Sequence, residues 1–599
     1  MARWMVAAKK ADFDGIAAKY HISPVLARIM RNRDVVGDEE IEKYLYGDIK
    51  DLHDPLLLKD LKKAAEIIME KIRGGKKIRI IGDYDVDGIC ATYILLMSIR
   101  ALGGTVDTVI PHRQKDGYGL NEHLIEAAGA EGIDTIITCD NGIAAAPQIQ
   151  LAKNMGMTVV VTDHHEVPFE EGATGDGDRG RVYLLPEADA VVDPKQPECG
   201  YPFKQICGAV VAMKLVQVLL AMKEPEGGKS RQEILDEMLT FGALATVCDV
   251  MELRDENRIL VKKGLALMRE TRNPGLRALL MVNGIEEREL TPYHAGFIIG
   301  PCLNATGRLD TAKRALELFD AEEWKEAVTI AGDLKSLNDS RKQMTEDGVL
   351  EAVSVVENTD IRRDRVLVIY LPDCHESLAG IIAGRIREKY GKPVFVLTKG
   401  EEGVKGSGRS IEAYNMYEEI TACKELFTRY GGHKMAAGLS MAGEEVVEVF
   451  RRNLNDNCRL KEEDFEEVVH IDVPMPLSYA TMEFVRELSL LAPFGTGNPK
   501  PLFARKGISL ISGRKLGKNR NVGKYRIADE EGRSYEMIYF GDLEEFDLFL
   551  SQRFGRDTAA AVYEGGIRPG RAVISMAYYP DINSFGGRET LQFVMQYYC

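Results

Sequence analysis

The 599-residue chain has no uninterrupted apolar run of eighteen residues, so no stretch reads as a membrane-crossing helix. Its first residues, MARWMVAAKKADFDG, hold too short an apolar stretch and too early a charge for a secretory signal, and a cytoplasmic location is expected. The ten cysteines are scattered, with no CxxC pair and no zinc-ligand spacing. Cys90, Cys139, Cys207 and Cys248 sit in apolar runs and read as buried free thiols of a reducing compartment. Positive charge is also in deficit: 77 Lys and Arg against 93 Asp and Glu leave a net −16. That balance excludes an indiscriminate nucleic-acid coat, but not a local basic groove whose binding weakens with salt. With 45% hydrophobic and 28% charged residues, the remainder describes a globular chain long enough for several cores.

The densest signal is IRIIGDYDVDGICATYIL, Ile78 to Leu95. An apolar strand is followed at once by Asp83, Asp85 and Asp87, then by Gly88 and a second apolar run suited to a buried helix. Three carboxylates in five residues repel one another, and a cation relieves that cost; a solvated Asp-rich turn explains the stretch equally well in isolation. The pattern recurs, however. IDTIITCDNGI ends its apolar run in Asp140, MTVVVTDHHEVP in Asp163, His164 and His165, and ATVCDVMEL in Asp249. Four apolar segments that each deliver Asp or His at their carboxyl ends suit an open α/β sheet, where ligands bind along that edge. Carboxylates mixed with imidazole suit Mn²⁺ or a similar divalent ion, and all-oxygen sites suit Mg²⁺. The set is expected to hold two such ions as a hydrolase site, with Asp85, Asp87, Asp140, His164 and Asp249 as ligands.

DYDVDG, CDNG, TDHH and VCD, in that order, resemble the four motifs of the DHH phosphoesterase superfamily. YGGHKMAAGLS resembles the GGH motif of the DHH-associated domain, and GPCLNATGRLD and KGSGRS resemble the RecJ family of single-strand-specific 5′-to-3′ exonucleases. The resemblance covers about residues 50 to 595. It implies that Asp85, Asp87, Asp140, His164, His165 and Asp249 carry catalysis, that His165 contacts the scissile phosphate, and that Asp163 orients the histidines from behind. Family phosphatases place a His four residues before Asp85, where this chain has Ile81; Asp83 is the implied substitute.

The fold class expected is α/β, in five segments. Residues 1–49 read as a helical cap that packs on the next domain. Residues 50–240 alternate strand and helix patterns and form a DHH domain with a parallel sheet. Residues 241–345 complete the metal site and form a long helical connector. Residues 346–462 form the DHH-associated α/β domain, and 463–599 an OB-type β-barrel built only of short strands. A Gly- and charge-rich stretch, 170–186, reads as a flexible insertion.

Phosphate or substrate contacts are expected from Arg113, in a polar loop, and from Asn304 and Arg308, in what reads as a Gly-bounded loop; the arginine fork suits phosphate. On the second α/β unit, His375, Ser407, Arg409, Ser410, Gly431, Gly432 and His433 are placed on the cleft wall, the glycine pair allowing backbone amides to approach an anion. In the barrel, Arg514, Lys518, Arg520 and Lys524, with Tyr525 among them, combine charge and an aromatic ring in the manner of a single-strand grip; a solvated face is the plainer reading of the charges.

Two functions fit these residues. One is a single-stranded-DNA exonuclease of recombination and repair, releasing mononucleotides from a 5′ end, monomeric, with a helicase and a single-strand-binding protein as partners by family habit. The other is a DHH phosphoesterase for cyclic dinucleotides or short oligoribonucleotides. The second needs only the two α/β units, so the connector and barrel favour the first.

Overall fold

The computed structural model describes residues 3–111, 119–171, 181–309, 312–400, 403–585 and 587–599. They fall into two units, one of residues 52–251 and 259–466, the other of 1–51, 252–258 and 467–599.

The larger unit opens on a five-stranded, wholly parallel sheet. Its strands lie in the order Thr105–Val109, Lys77–Ile81, Thr135–Cys139, Thr158–Thr162 and Ala190–Val192. The central strands are buried because crossover helices cover both faces, which is why they read as continuous Ile/Val runs and not as alternation. Parallel pairing also aligns the carboxyl ends of all five strands on one edge. Helix Val86–Ala101 leaves the first acidic turn almost entirely buried, and helices Gly208–Met222 and Arg231–Cys248 pack against it.

Further on, GPCLNATGRLD departs from the expected loop: Gly300–Leu309 is helical. Its glycines permit close approach. A Cβ on Gly300 would strike the Cys248 sulfur, and one on Gly307 would lie 3.0 Å from the Tyr84 carbonyl. A 35-residue helix, Trp324–Asn358, then leads to a second sheet ordered Arg429–His433, Ala436–Met441, Gly403–Arg409, Val394–Gly400 and Leu367–Tyr370. Only its last pair is parallel. In the 170–186 stretch, Phe169–Glu171 pairs antiparallel with Arg181–Tyr183, and residues 172–180 lie outside the described residues.

The smaller unit contains a closed barrel. Strands Phe503–Leu516, Val522–Ala528, Ser534–Tyr539, Arg588–Tyr598 and Val573–Phe585 follow one another around it, and the last pairs back with the first. Closure removes the free edges of the sheet. The segment is not built of strands alone: helices Leu543–Phe554 and Arg556–Glu564 interrupt it after the third barrel strand.

The N-terminal helices also depart from expectation. They pack on the other end of the chain. Ile22, Leu26, Ile29, Ile41 and Leu45 share one core with barrel residues such as Phe503, Leu510 and Phe593. Strand Arg3–Val6 pairs in parallel with Val468–Ile471. Between these pieces sits Arg258, buried, its guanidinium over the Tyr44 ring and donating to the carbonyls of Tyr44, Leu490 and Leu491.

Candidate metal centre

The parallel sheet delivers its acids by one repeated device, a buried strand that stops at the carboxyl edge. After Lys77–Ile81 the chain turns through Gly82 and Asp83, and Asp85 caps the next helix by accepting from the amides of Asp87 and Gly88 at 3.0 and 3.1 Å. After Thr135–Cys139, Asp140 adopts a left-handed backbone conformation, φ 61°, which a short polar side chain tolerates better than most. After Thr158–Thr162 come Asp163, His164 and His165. Asp249 arrives differently, as the residue ending helix Arg231–Cys248.

The side chains converge. Asp83, Asp85 and Asp140 offer oxygens that lie within 4.8 Å of one another; so do the donors of Asp87, His164 and Asp249, and those of Asp140, His164 and His165. His164 Nε2 faces three carboxylates, 3.1 Å from Asp140, 3.5 Å from Asp87 and 3.7 Å from Asp249. Burial holds its imidazole below the usual value, in the neutral form that ligates metals. Burial, then repulsion from Asp87 and Asp85, pushes the Asp140 carboxyl well up and that of Asp249 to about 8. Burial and Asp87 raise Asp85 as well. Carboxylates crowded in this way around a neutral imidazole are arranged for divalent cations, and the donor chemistry fits Mn²⁺ and Mg²⁺.

One support was not visible in the sequence. Asp87 is seated on the amino end of helix Gly208–Met222: the amides of Gly208 and Ala209 donate to its two oxygens at 2.6 and 2.7 Å. The first-turn amides, which have no acceptor within their helix, and the helix dipole hold a negative charge there. Gly208 also backs Asp140, since a Cβ on it would lie 2.7 Å from the Asp140 Cβ. The only trace in the sequence is a glycine opening an apolar helix. Asp163, in turn, accepts from the amides of Ile143, His164 and His165 and from the ring Nδ1 of His165 at 2.7 Å. Burial opposes the imidazolium of His165, but the Asp163 bond and nearby carboxylates outweigh it and hold the ring at about 9.

The remaining expected residues divide. Arg113 lies outside the described residues. Asn304 is half-buried on helix Gly300–Leu309, which also carries Arg308; the helix reaches the acidic turn where Gly307 meets Tyr84. On the second sheet, Arg409 donates to the Ser407 hydroxyl at 3.1 Å, and Gly380 leaves room beside both. The Lys405–Glu376 ion pair, at 2.8 Å, ties that strand to the turn capped by His375, whose Nδ1 meets the Ser377 hydroxyl at 2.7 Å. Ser410 does not join them: it is buried and its hydroxyl donates to the Tyr414 carbonyl. Gly431, Gly432 and the exposed His433 form the edge strand, where the glycines pair with Gly438 and Ala437.

In the barrel, Tyr525 departs from the expected binding face. It is 1% exposed, in the core, with its hydroxyl on Tyr563. Successive strand residues point to opposite faces, so the outward Lys524 and Arg526 turn Tyr525 inward. Arg514, Lys524 and Arg526 line a groove of about 710 Å³ with the half-buried Tyr535, an aromatic that the reading of the sequence missed. Arg514 also lines an adjoining groove of about 860 Å³ with Arg520 and Asn521. Lys518 is exposed in the turn before Arg520.

Three family models match: the DHH family N-terminal domain over residues 77–246, the DHHA1 domain over 363–459 and the RecJ OB domain over 471–597. The single-stranded-DNA-specific exonuclease RecJ of Escherichia coli is 31% identical over 592 residues, spanning 96% of this chain and 95% of that one. Its namesake from Bacillus subtilis is 34% identical over 550 residues, 91% of this chain and 66% of the longer relative. Among solved structures, RecJ of Thermus thermophilus in complex with Mn²⁺ superposes with a TM-score of 0.79 at 26% identity, covering 100% of this chain and 79% of that one. A second structure of that protein carries Mg²⁺.

Proposed function

The chain belongs to the RecJ family, and from that premise we propose that it is a metal-dependent exonuclease that degrades single-stranded DNA 5′ to 3′ to mononucleotides, in recombination and repair. The observation that carries the reading is the convergence of Asp83, Asp85, Asp87, Asp140, His164 and Asp249 on one sheet edge, in a chain that also has the barrel.

Asp83, Asp85 and Asp140 are assigned to one divalent ion, and Asp87, His164 and Asp249 to the other. When bound, such a pair activates water and offsets the charge of the attacking and departing oxygens. The protein's own part is to hold the donors still. The amino end of helix Gly208–Met222 fixes Asp87, and the helix amides it caps fix Asp85. Asp163 fixes the ring of His165, which we assign to the scissile phosphate. Asn304 and Arg308 are assigned to the phosphate backbone. His375, Ser407, Arg409, Gly431, Gly432 and His433 are assigned to a 5′-phosphate pocket that sets direction, and Arg514, Lys518, Arg520 and Lys524 to gripping single-stranded DNA.

No helix among the described residues is long and apolar enough to cross a membrane. A cytoplasmic location, a monomeric state, and a helicase and single-strand-binding protein as partners belong to the proposal.

The test is a Mn²⁺-dependent cleavage assay comparing 5′- and 3′-labelled single strands, duplex DNA, RNA and a cyclic dinucleotide. Immediate release of the 5′ label as a mononucleotide, with stepwise shortening of the 3′-labelled strand, is expected. Consumption of the cyclic dinucleotide alone would leave the metal assignment standing and overturn the substrate.

A further inference from the structure

Pro292–His294 and the π-helical turn Ala295–Ile299 run directly into helix Gly300–Leu309. One side of this run is packed. Ala295 and Ile299 are fully buried, the Cys248 thiol donates to the Ala295 carbonyl, and Gly296 and Gly300 lie against Val247 and Cys248. Those are the residues that lead into Asp249. Ten residues beyond Phe297, roughly 15 Å along a helix axis, Gly307 rests on Tyr84, between Asp83 and Asp85. The run is therefore anchored at both ends against segments that carry the acidic cluster.

Its open side holds Tyr293 and Phe297, four residues apart and thus on one helical face. They are 61% and 67% exposed, and their rings stack with centroids 5.3 Å apart and planes 22° apart. A large aromatic pair left open to water calls for a partner more than any scattered exposed side chain does. The widened π turn beneath Phe297 is a backbone feature that recurs at functional sites. The chemistry of the rings selects the partner. Flat apolar faces beside a phosphodiester-cleaving centre suit a nucleobase, whose π face stacks whatever its identity, and offer nothing to a bare phosphate.

We propose that Tyr293 and Phe297 form a stacking platform for an unpaired base of the strand being degraded. This rests on the exonuclease reading and adds to it a second requirement, that the substrate carry bases away from the scissile bond. The platform acts through binding and leaves the chemical step alone.

The experiment uses the full chain with Mn²⁺ and a single strand in which one abasic site is moved stepwise from the 5′ end. For the unaltered protein, KM rises roughly tenfold when the abasic site reaches one particular register, the weight of one base–aromatic stack, while kcat is unchanged. The Tyr293→Ala/Phe297→Ala variant starts from the raised KM and is indifferent to the abasic site; Tyr293→Phe and Phe297→Tyr behave as the unaltered protein does. An unaltered protein indifferent to the abasic site at every register overturns the proposal, as does a double variant with normal KM, which would leave the pair to a protein partner. Should the double variant fold poorly, the abasic series on the unaltered protein and Phe297→Leu decide. If the unaltered protein degrades no single strand at all, the exonuclease reading fails and this proposal falls with it.

Discussion

Asp87 and Gly208, 121 residues apart, meet at 2.6 Å, the glycine amide donating to the carboxylate that a neighbouring amide also holds. The same glycine lies under Asp140, so one small residue spaces two of the acids.

Gly208→Ala is therefore expected to damage catalysis without unfolding the protein. Its new methyl would overlap Asp140, with 2.7 Å to the Cβ and 2.9 Å to the Cα. Displacing a reacting group by about 1 Å costs on the order of 100-fold in rate. Turnover with saturating Mn²⁺, read beside the unfolding temperature, checks this; normal turnover would show that Gly208 does not space the acids.

Asp140 separates two roles. Asp140→Ala is expected to abolish cleavage while leaving the fold and some strand binding, and Asp140→Asn to do the same with less strain, since Asn tolerates the left-handed backbone better. Removing one of several crowded, buried carboxyls also relieves repulsion. In EDTA the Asn variant should melt no lower than the unaltered protein, and the rise in melting temperature on adding Mn²⁺ should shrink. A variant with near-normal turnover would sink the assignment of Asp140 as a ligand.

Barrel substitutions should sort by strand face. Arg514→Glu/Arg526→Glu is expected to weaken binding of long single strands and to lower the slope of log affinity against log salt by roughly 2 or more. Tyr525→Ala should instead lower stability by about 3–5 kcal/mol, the cost of a cavity where a core aromatic stood. Filter binding across a salt series and denaturant unfolding separate the two. A Tyr525→Ala protein that folds normally but loses strand binding would return Tyr525 to the binding face.

Arg258→Ala removes a buried guanidinium from three carbonyls, those of Tyr44, Leu490 and Leu491. Each stranded acceptor costs about 1 kcal/mol or more. Exchange protection should fall in the N-terminal helices and in the residues around Leu490 together. Loss confined to one of them would show that Arg258 does not join them.

Much of the candidate metal centre was legible because most of its donors follow a contiguous strand pattern: Ile78–Ile81 before Asp83, Thr135–Cys139 before Asp140, Thr158–Thr162 before Asp163 and His164; Asp249, which ends a helix, is the exception. A strand's end is a local property, and parallel pairing then brings the ends together. The misreadings have equally definite causes. The glycines of GPCLNATGRLD read as loop punctuation, yet they serve close contact in a helix. Ser410 looked available, but its hydroxyl is spent on the Tyr414 carbonyl. Tyr525 was placed by its basic neighbours, although strand alternation turns it away from them.

By itself, then, the order of residues determined the apolar periods, the acids that close them and the resemblance those acids carry. Only the tertiary structure decided which distant pieces complete one another. Gly208 supports Asp87, the N-terminal helices pack on a barrel more than 400 residues further along the chain, and Tyr293 and Phe297 stay open to water. The reason is physical. Periodicity records that a side chain must be buried, but not against what; the partner is set by packing, which joins residues without regard to their separation along the chain.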